Sequence, residues 1–180
     1  MTIERFDIAG PLLIHPKVFT DDRGCFFESF NLEVFEKLGL PTDFYQDNQS
    51  ISRKGVIRGL HFQSPPWEQG KLVRVVSGRV IDVAVDIRKE SKTYGKHIRI
   101  ELSGETQALL WIPPGFAHGF SVLEQDTVFL YKCTKPYHPE AEQGLVWNDP
   151  DLDINWGMEE PVVSQKDCQL PGFKNFHSPF

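Results

Sequence analysis

The chain has 180 residues, 40% hydrophobic and 24% charged, the balance of a soluble globular protein long enough to bury a substantial core. Its formal net charge of −6 argues against a nucleic-acid surface, and no apolar run is long enough to span a membrane. Cys25, Cys133 and Cys168 are odd in number and far apart, which excludes a disulfide framework or a CxxC site and predicts free, mostly buried thiols in a reducing cytoplasm.

Residues 1–10 carry Glu4, Arg5 and Asp7 without an apolar run, so they do not read as a signal peptide. Short strands are predicted over 11–15 and 18–20. Asp21-Asp22-Arg23-Gly24 is a turn signature, and the aromatic stretch 26–30 after it is strand-like. Asn31 is a helix N-cap: Val34, Phe35 and Leu38 share a face, and Gly39 and Pro41 stop the helix, the only one expected. From Gly55 onward the pattern becomes short strands between glycine- or proline-bearing turns, over 56–63, 71–76, 80–87, 97–102, 107–112, 119–123 and 128–133. Strands at this interval with no helices between them indicate an antiparallel sandwich or barrel. Beyond Trp147 the chain is irregular and is expected to wrap that barrel. With no repeat or linker, residues 1–180 are expected to form one domain.

Ser77-Gly78 has the composition of a two-residue hairpin turn, which would pair Val76 with Arg79 and Val73 with Asp82. Alternation then brings Lys71, Val73, Val75, Val80, Asp82 and Ala84 to one face, with Lys71 and Asp82 as diagonal neighbours. Such a lysine is either half of a structural ion pair or a fixed positive charge in a cavity. The spacing favours the ion pair.

The stretch Gly55-Val56-Ile57-Arg58-Gly59-Leu60-His61-Phe62-Gln63 looks like a buried strand, yet it holds a cation, a second glycine and an imidazole. His61 and Gln63 share a face and Arg58 should point the other way, unless a bulge at Gly59 turns Arg58 toward His61. The plainer alternative is a satisfied core histidine and a rim arginine. Gly55, five residues, His61, one residue and Gln63 resembles the first metal motif of the cupins, with Gln63 where a second histidine belongs. Pro113-Pro114-Gly115-Phe116-Ala117-His118 resembles their second motif. Transition-metal sites need three or more good ligands, so a cupin barrel without its metal is expected. A histidine, a lysine and a tyrosine inside such a barrel suit proton abstraction α to a carbonyl. The imidazole is the base, an ammonium stabilises the enolate, and a tyrosine returns the proton from the opposite face.

A wider set of blocks resembles one family, the dTDP-4-dehydrorhamnose 3,5-epimerases of deoxysugar biosynthesis. The blocks are residues 21–30, Gln46-Asp47-Asn48, 55–63, 70–75, 82–86, 113–120, Tyr131-Lys132, Trp147-Asn148-Asp149-Pro150 and Lys166-Asp167. The resemblance implies an all-β, cupin-like double-stranded β-helix (a jelly-roll barrel), with one short helix near the N-terminus and peripheral C-terminal segments. It implies a cytoplasmic homodimer without metal or organic cofactor, acting on a dTDP-4-keto-6-deoxy-hexose and binding neither nucleic acid nor membrane. By position, His61 matches the family's base, Asp167 its carboxylate partner, Tyr131 the acid and Lys71 the group facing the ketone oxygen. Arg58, His118, Tyr137, Glu142 and Lys166 match residues around the sugar and its diphosphate. Gln46, Asp47 and Asn48 match a nucleotide-binding stretch. Arg23 and Glu28 match positions at the dimer edge, where Phe26 or Phe27 offers an aromatic surface for thymine. The chain departs from the common Tyr-Lys-Thr-Thr-x-Tyr-Tyr pattern at Cys133 and Pro136, while Tyr131 and Tyr137 are kept. A single-carbon epimerase, a metal-dependent cupin and a nucleotide-sugar-binding module are the competing readings.

Overall fold

In the computed structural model, which describes residues 1–180, alternation along short strands sorts the chain into layers. In chain order the strands are β1 (Thr2–Arg5), β2 (Leu12–His15), β3 (Phe19–Asp21), β4 (Gly24–Phe26), β5 (Gln46–Ser52), β6 (Val56–Gln63) and β7 (Lys71–Ser77). They continue as β8 (Arg79–Asp86), β9 (His97–Ser103), β10 (Leu109–Ile112), β11 (Phe116–Val122), β12 (Thr127–Cys133), β13 (Glu142–Gly144) and β14 (Val162–Val163). One sheet has the order β1-β2-β10-β7-β12-β5. The other runs β13-β6-β11-β8-β9, with β14 also on β6, and β3 and β4 form a separate ribbon. The architecture is the cupin-like jelly roll that the motifs imply.

Inward-facing Val73, Val75, Leu110, Ile112 and Phe129 from the first sheet meet Val80, Ala84, Phe116, Phe120 and Val122 from the second in one buried interior. The opposite parity of the second sheet (Ile57, Leu60, Phe62, Ile81, Val83, Val85) faces outward, where Leu145, Leu152, Trp156 and the C-terminal phenylalanines cover it. The irregular tail thus wraps the barrel as expected. On the first sheet's outer face, Ile14, Leu72, Leu109 and Trp111 are sealed by Phe35 and Leu40. Phe35 belongs to α1 (Leu32–Lys37), whose cap forms as expected: Asn31 Oδ1 accepts from the Val34 N–H at 3.2 Å, and Gly39 takes φ +67°.

Several expectations are corrected. Residues 27–30 are not a strand; Phe30 instead packs edge-on against Phe35 and Phe44, with ring centroids 4.8 and 5.7 Å apart. Four further strands, β1, β5, β13 and β14, and a second short helix, α2 (Gln165–Cys168), are present. Ser77-Gly78 closes no hairpin, because β7 lies between β10 and β12 while β8 lies between β11 and β9. The chain crosses there from one sheet to the other, with Gly78 at φ +86°. Val73, Val75, Val80 and Ala84 do share a core, but across the sandwich, not along one sheet. Lys71 and Asp82 form no ion pair, since the Asp82 carboxylate is engaged by His118. All three cysteines are free, yet only Cys133 is buried: Cys25 sits on the exposed ribbon and Cys168 at the end of α2. No helix is long and apolar enough to cross a membrane.

Candidate active site

A bulge at Gly59, which the sequence leaves open, is present and decides what β6 presents. In the β6–β11 ladder His118 pairs with His61 but Phe120 pairs with Arg58, so Gly59 and Leu60 together oppose Gly119. Gly59 has φ +120°, and a Cβ there would lie 2.5 Å from Gly119 Cα and 2.7 Å from the His118 carbonyl oxygen. Only glycine fits. The extra residue resets the alternation, so Arg58 and His61 both point inward while Ile57, Leu60 and Phe62 stay in the outer layer.

The bulge also supplies a hydrogen-bond donor. The Gly59 N–H donates to Asp167 Oδ2 at 3.3 Å, and Asp167 Oδ1 lies 2.8 Å from His61 Nε2. Asp167 reaches this place because β14 adds in parallel to the start of β6 and leads directly into α2. Ser164 caps that turn by accepting from the Asp167 N–H at 3.1 Å. Burial works to raise the Asp167 pKa, but His61, the Gly59 N–H and Ser164 outweigh it and hold the carboxyl below its usual range. A carboxylate can only accept, so His61 donates from Nε2 and keeps Nδ1 for the cavity.

A second imidazole stands beside the first. His118 Nε2 lies 3.0 Å from each oxygen of Asp82, and the side chains are 6% and 0% exposed. Burial pushes the His118 pKa down despite the neighbouring carboxylate.

The facing sheet contributes groups of another kind. Tyr131 on β12 lies between Asn48 of β5 and Val73 of β7, and Lys71 opens β7 opposite Cys133. Burial lowers the Lys71 pKa; Cys133, Asp82 and Glu142 oppose this only through their fields, without a hydrogen bond. Burial likewise raises the pKa of Tyr131, which therefore keeps its proton. His61, His118, Arg58, Lys71, Tyr131, Asn48, Lys166 and Asp167 line one cavity of about 600 Å³. Arg58 donates from Nε and Nη2 to Ser52 Oγ, at 3.3 Å each, and has no carboxylate partner.

An adjoining cavity of about 230 Å³ shares Asn48, His61, Lys71 and Tyr131 and extends to Gln46, Tyr137 and Glu142. Glu142 Oε2 accepts from Lys166 Nζ at 2.5 Å and from the Tyr137 hydroxyl at 2.6 Å. Burial alone would raise the Glu142 pKa, but these two donors keep it below the usual range. Gln63 is committed elsewhere: its amide donates to the carbonyls of Trp67 (2.6 Å) and Pro136 (3.2 Å) and accepts from the His138 N–H (2.8 Å). No group of three or more His, Cys, Asp and Glu side chains is placed to hold a metal ion.

Four residues marked by the resemblance lie outside these cavities. Asp47 has the outward parity of β5, where Lys132 Nζ donates to it at 2.9 and 3.0 Å. Arg23 and Phe26 sit on the β3–β4 ribbon, 90% exposed in side chain and 69% exposed respectively, with Arg23 paired to Asp21. Glu28 is exposed and accepts from Asn31 Nδ2 at 3.1 Å. Asp82, Ser52 and Ser164 were not singled out for the site, although a carboxylate in the apolar run Val80-Ile81-Asp82-Val83-Ala84 was a usable signal for a buried polar partner.

Residues 5–175 match the family model described as dTDP-4-dehydrorhamnose 3,5-epimerase. The chain is 50% identical over 168 residues to the protein of that name from Shigella flexneri, covering 93% of each. It resembles the crystal structure of the Legionella pneumophila dTDP-6-deoxy-D-glucose-3,5-epimerase in complex with dTDP-4-keto-L-rhamnose, with a TM-score of 0.93, 47% identity and coverage of 98% of this chain and 94% of that one. It is also similar to the Bacillus anthracis dTDP-4-dehydrorhamnose 3,5-epimerase with TDP and PPi bound, with a TM-score of 0.93, 41% identity and coverage of 96% and 99%.

Proposed function

The chain belongs to the dTDP-4-dehydrorhamnose 3,5-epimerase family, and we propose that it converts dTDP-4-dehydro-6-deoxy-D-glucose to dTDP-4-dehydro-L-rhamnose by inverting C3 and C5. One observation carries the mechanism: the oriented base His61 and the protonated Tyr131 stand on facing sheets of a single cavity. Both carbons flank the C4 ketone, and in a D-gluco ring their hydrogens lie on the same face. One wall can therefore remove each proton, and the other can return one from the opposite side.

His61 takes the proton on Nδ1 while Asp167 holds Nε2–H and stabilises the imidazolium. Lys71, free of any carboxylate partner, meets the oxygen on which enolate charge develops. Tyr131 then protonates the far face. Protons alone move and each transfer has its own side chain, so neither metal nor organic cofactor enters the scheme. Arg58 takes a phosphate, its guanidinium already steadied by Ser52, and Lys166 exchanges Glu142 for the diphosphate. Gln46 and Asn48 hydrogen-bond the nucleoside from β5, and Tyr137 borders the same cavity.

A homodimer accounts for the residues outside the cavity. The ribbon exposes Phe19 and Phe26 and carries Arg23, and it would serve the partner subunit's cavity together with Glu28 and Asp47. The protein then works as one domain per subunit in the cytoplasm, apart from nucleic acid and membrane, as its negative charge suits.

Proton NMR of the product formed in D2O tests the assignment. Deuterium at both C3 and C5 of an L-rhamno product is expected. Deuterium at one position only would make the chain a single-carbon epimerase, and none would remove the proton chemistry altogether.

A further inference from the structure

The scheme above uses one histidine–carboxylate pair, yet the cavity contains two. Asp82, fully buried on β8, presents both oxygens at 3.0 Å to His118 Nε2. Because the carboxylate only accepts, Nε2 carries the hydrogen and Nδ1 of a neutral ring is left with a lone pair. No protein group bonds Nδ1, although His118 lines the cavity. Burial, reinforced by the charges of Lys71 and His61, disfavours the imidazolium despite Asp82.

The surroundings of that lone pair give it a use. Lys71, Arg58 and the Tyr131 hydroxyl are all donors facing the same space, and His118 offers an acceptor among them. The C4 ketone oxygen of the substrate can only accept, so it has no favourable contact with Nδ1 and a good one with Lys71. A ring hydroxyl can donate, and Nδ1 matches it. An acceptor and a donor at separate points of one pocket decide which way round a ring must lie before its C–H bonds meet the base.

We infer that Asp82 is a positioning residue: it holds His118 as the Nε2–H tautomer, so that Nδ1 accepts a hydrogen bond from a sugar hydroxyl while Lys71 takes the ketone oxygen. The hydroxyl contact rests on the nucleotide-sugar reading of the cavity; the tautomer does not. The two dyads thus have separate tasks. His61, with 29% of its side chain exposed, reacts, and His118, with 6%, orients.

Nitrogen-15 NMR of the histidine rings tests the tautomer in the free protein at neutral pH. A neutral His118 with its hydrogen on Nε2 is expected; an imidazolium or an Nδ1–H ring would overturn the inference. Adding dTDP-glucose, which has the hydroxyls but no ketone, should move the Nδ1 resonance, whereas dTDP alone should not. An unmoved Nδ1 with dTDP-glucose bound would also overturn it, while failure of dTDP-glucose to bind would instead overturn the nucleotide-sugar reading. In Asp82→Asn the amide can donate to Nε2 and drive the hydrogen to Nδ1. The expected result is a loss in kcat/KM of roughly 10- to 100-fold, the effect of one lost buried hydrogen bond, with dTDP affinity unchanged. Unaltered kcat/KM in the folded variant, or an equal loss of dTDP affinity, would mark Asp82 as merely structural.

Discussion

The two walls of the cavity are made of similar strands but treat their polar groups in opposite ways. On the β6–β11–β8 wall, His61 and His118 are each tied to a buried carboxylate, at 2.8 and 3.0 Å. On the β7–β12 wall, Lys71 and Tyr131 have no hydrogen-bonded partner in the protein, and burial is the dominant influence on their pKa values. The difference separates two requirements of proton transfer. A base must be aimed, and its cation stabilised, before the substrate arrives. A group that meets an oxyanion or gives up a proton must keep its hydrogens for the substrate. Unsatisfied polar groups are costly in a core, so their concentration on one wall is itself a sign of a site.

Breaking the partnered wall should have the largest effect. His61→Asn is expected to lower solvent-deuterium incorporation into the ketosugar by roughly 1,000-fold or more, read by proton NMR. Full exchange by that variant would remove His61 as the base. On the facing wall, Lys71→Met keeps the bulk and removes the charge, and kcat should fall by roughly 100- to 1,000-fold. The bulge that lets the first wall present two residues can be tested by Gly59→Ala. With φ at +120° and Gly119 Cα 2.5 Å from the new methyl, the unfolding free energy in a denaturant titration should drop by roughly 2–4 kcal/mol.

Asp86 provides a carboxylate that is buried like Asp82 and Asp167 but serves only the fold. Burial would raise its pKa, yet Arg88, Ser91 and Thr93 outweigh that and bring it to about 2. The folded pKa is below the unfolded one, so its contribution of about 2 kcal/mol is present above the ordinary carboxylate range and lost as pH falls through about 2. Asp86→Asn should lose that stability at neutral pH and flatten the acid limb of the unfolding curve, with turnover unchanged.

Much of this was readable from residue order, and the exceptions have physical causes. The α1 cap and the strands between Gly55 and Cys133 follow from local chemistry, because each depends on residues a few positions apart, whereas the Gly59 bulge, which the sequence leaves open, is set by its pairing with the distant β11. The Ser77-Gly78 junction misleads because a hairpin and a sheet-to-sheet crossing begin with the same kind of tight turn; only the partners of β7 and β8 distinguish them. β5 is hidden by Gln46-Asp47-Asn48-Gln49-Ser50, polar residues of low strand propensity that pair because β12 lies beside them. Asp167 sits 106 positions from His61 in the chain, so only the resemblance, and then the β14–β6 pairing, connects the two.

The most direct test of the two-wall account is Tyr131→Phe assayed in D2O. With His61 and Lys71 intact, the C3 and C5 protons should still exchange with solvent, while inverted product falls by roughly 100-fold or more. Inversion at the wild-type rate would contradict the placement of the acid on the wall facing the base.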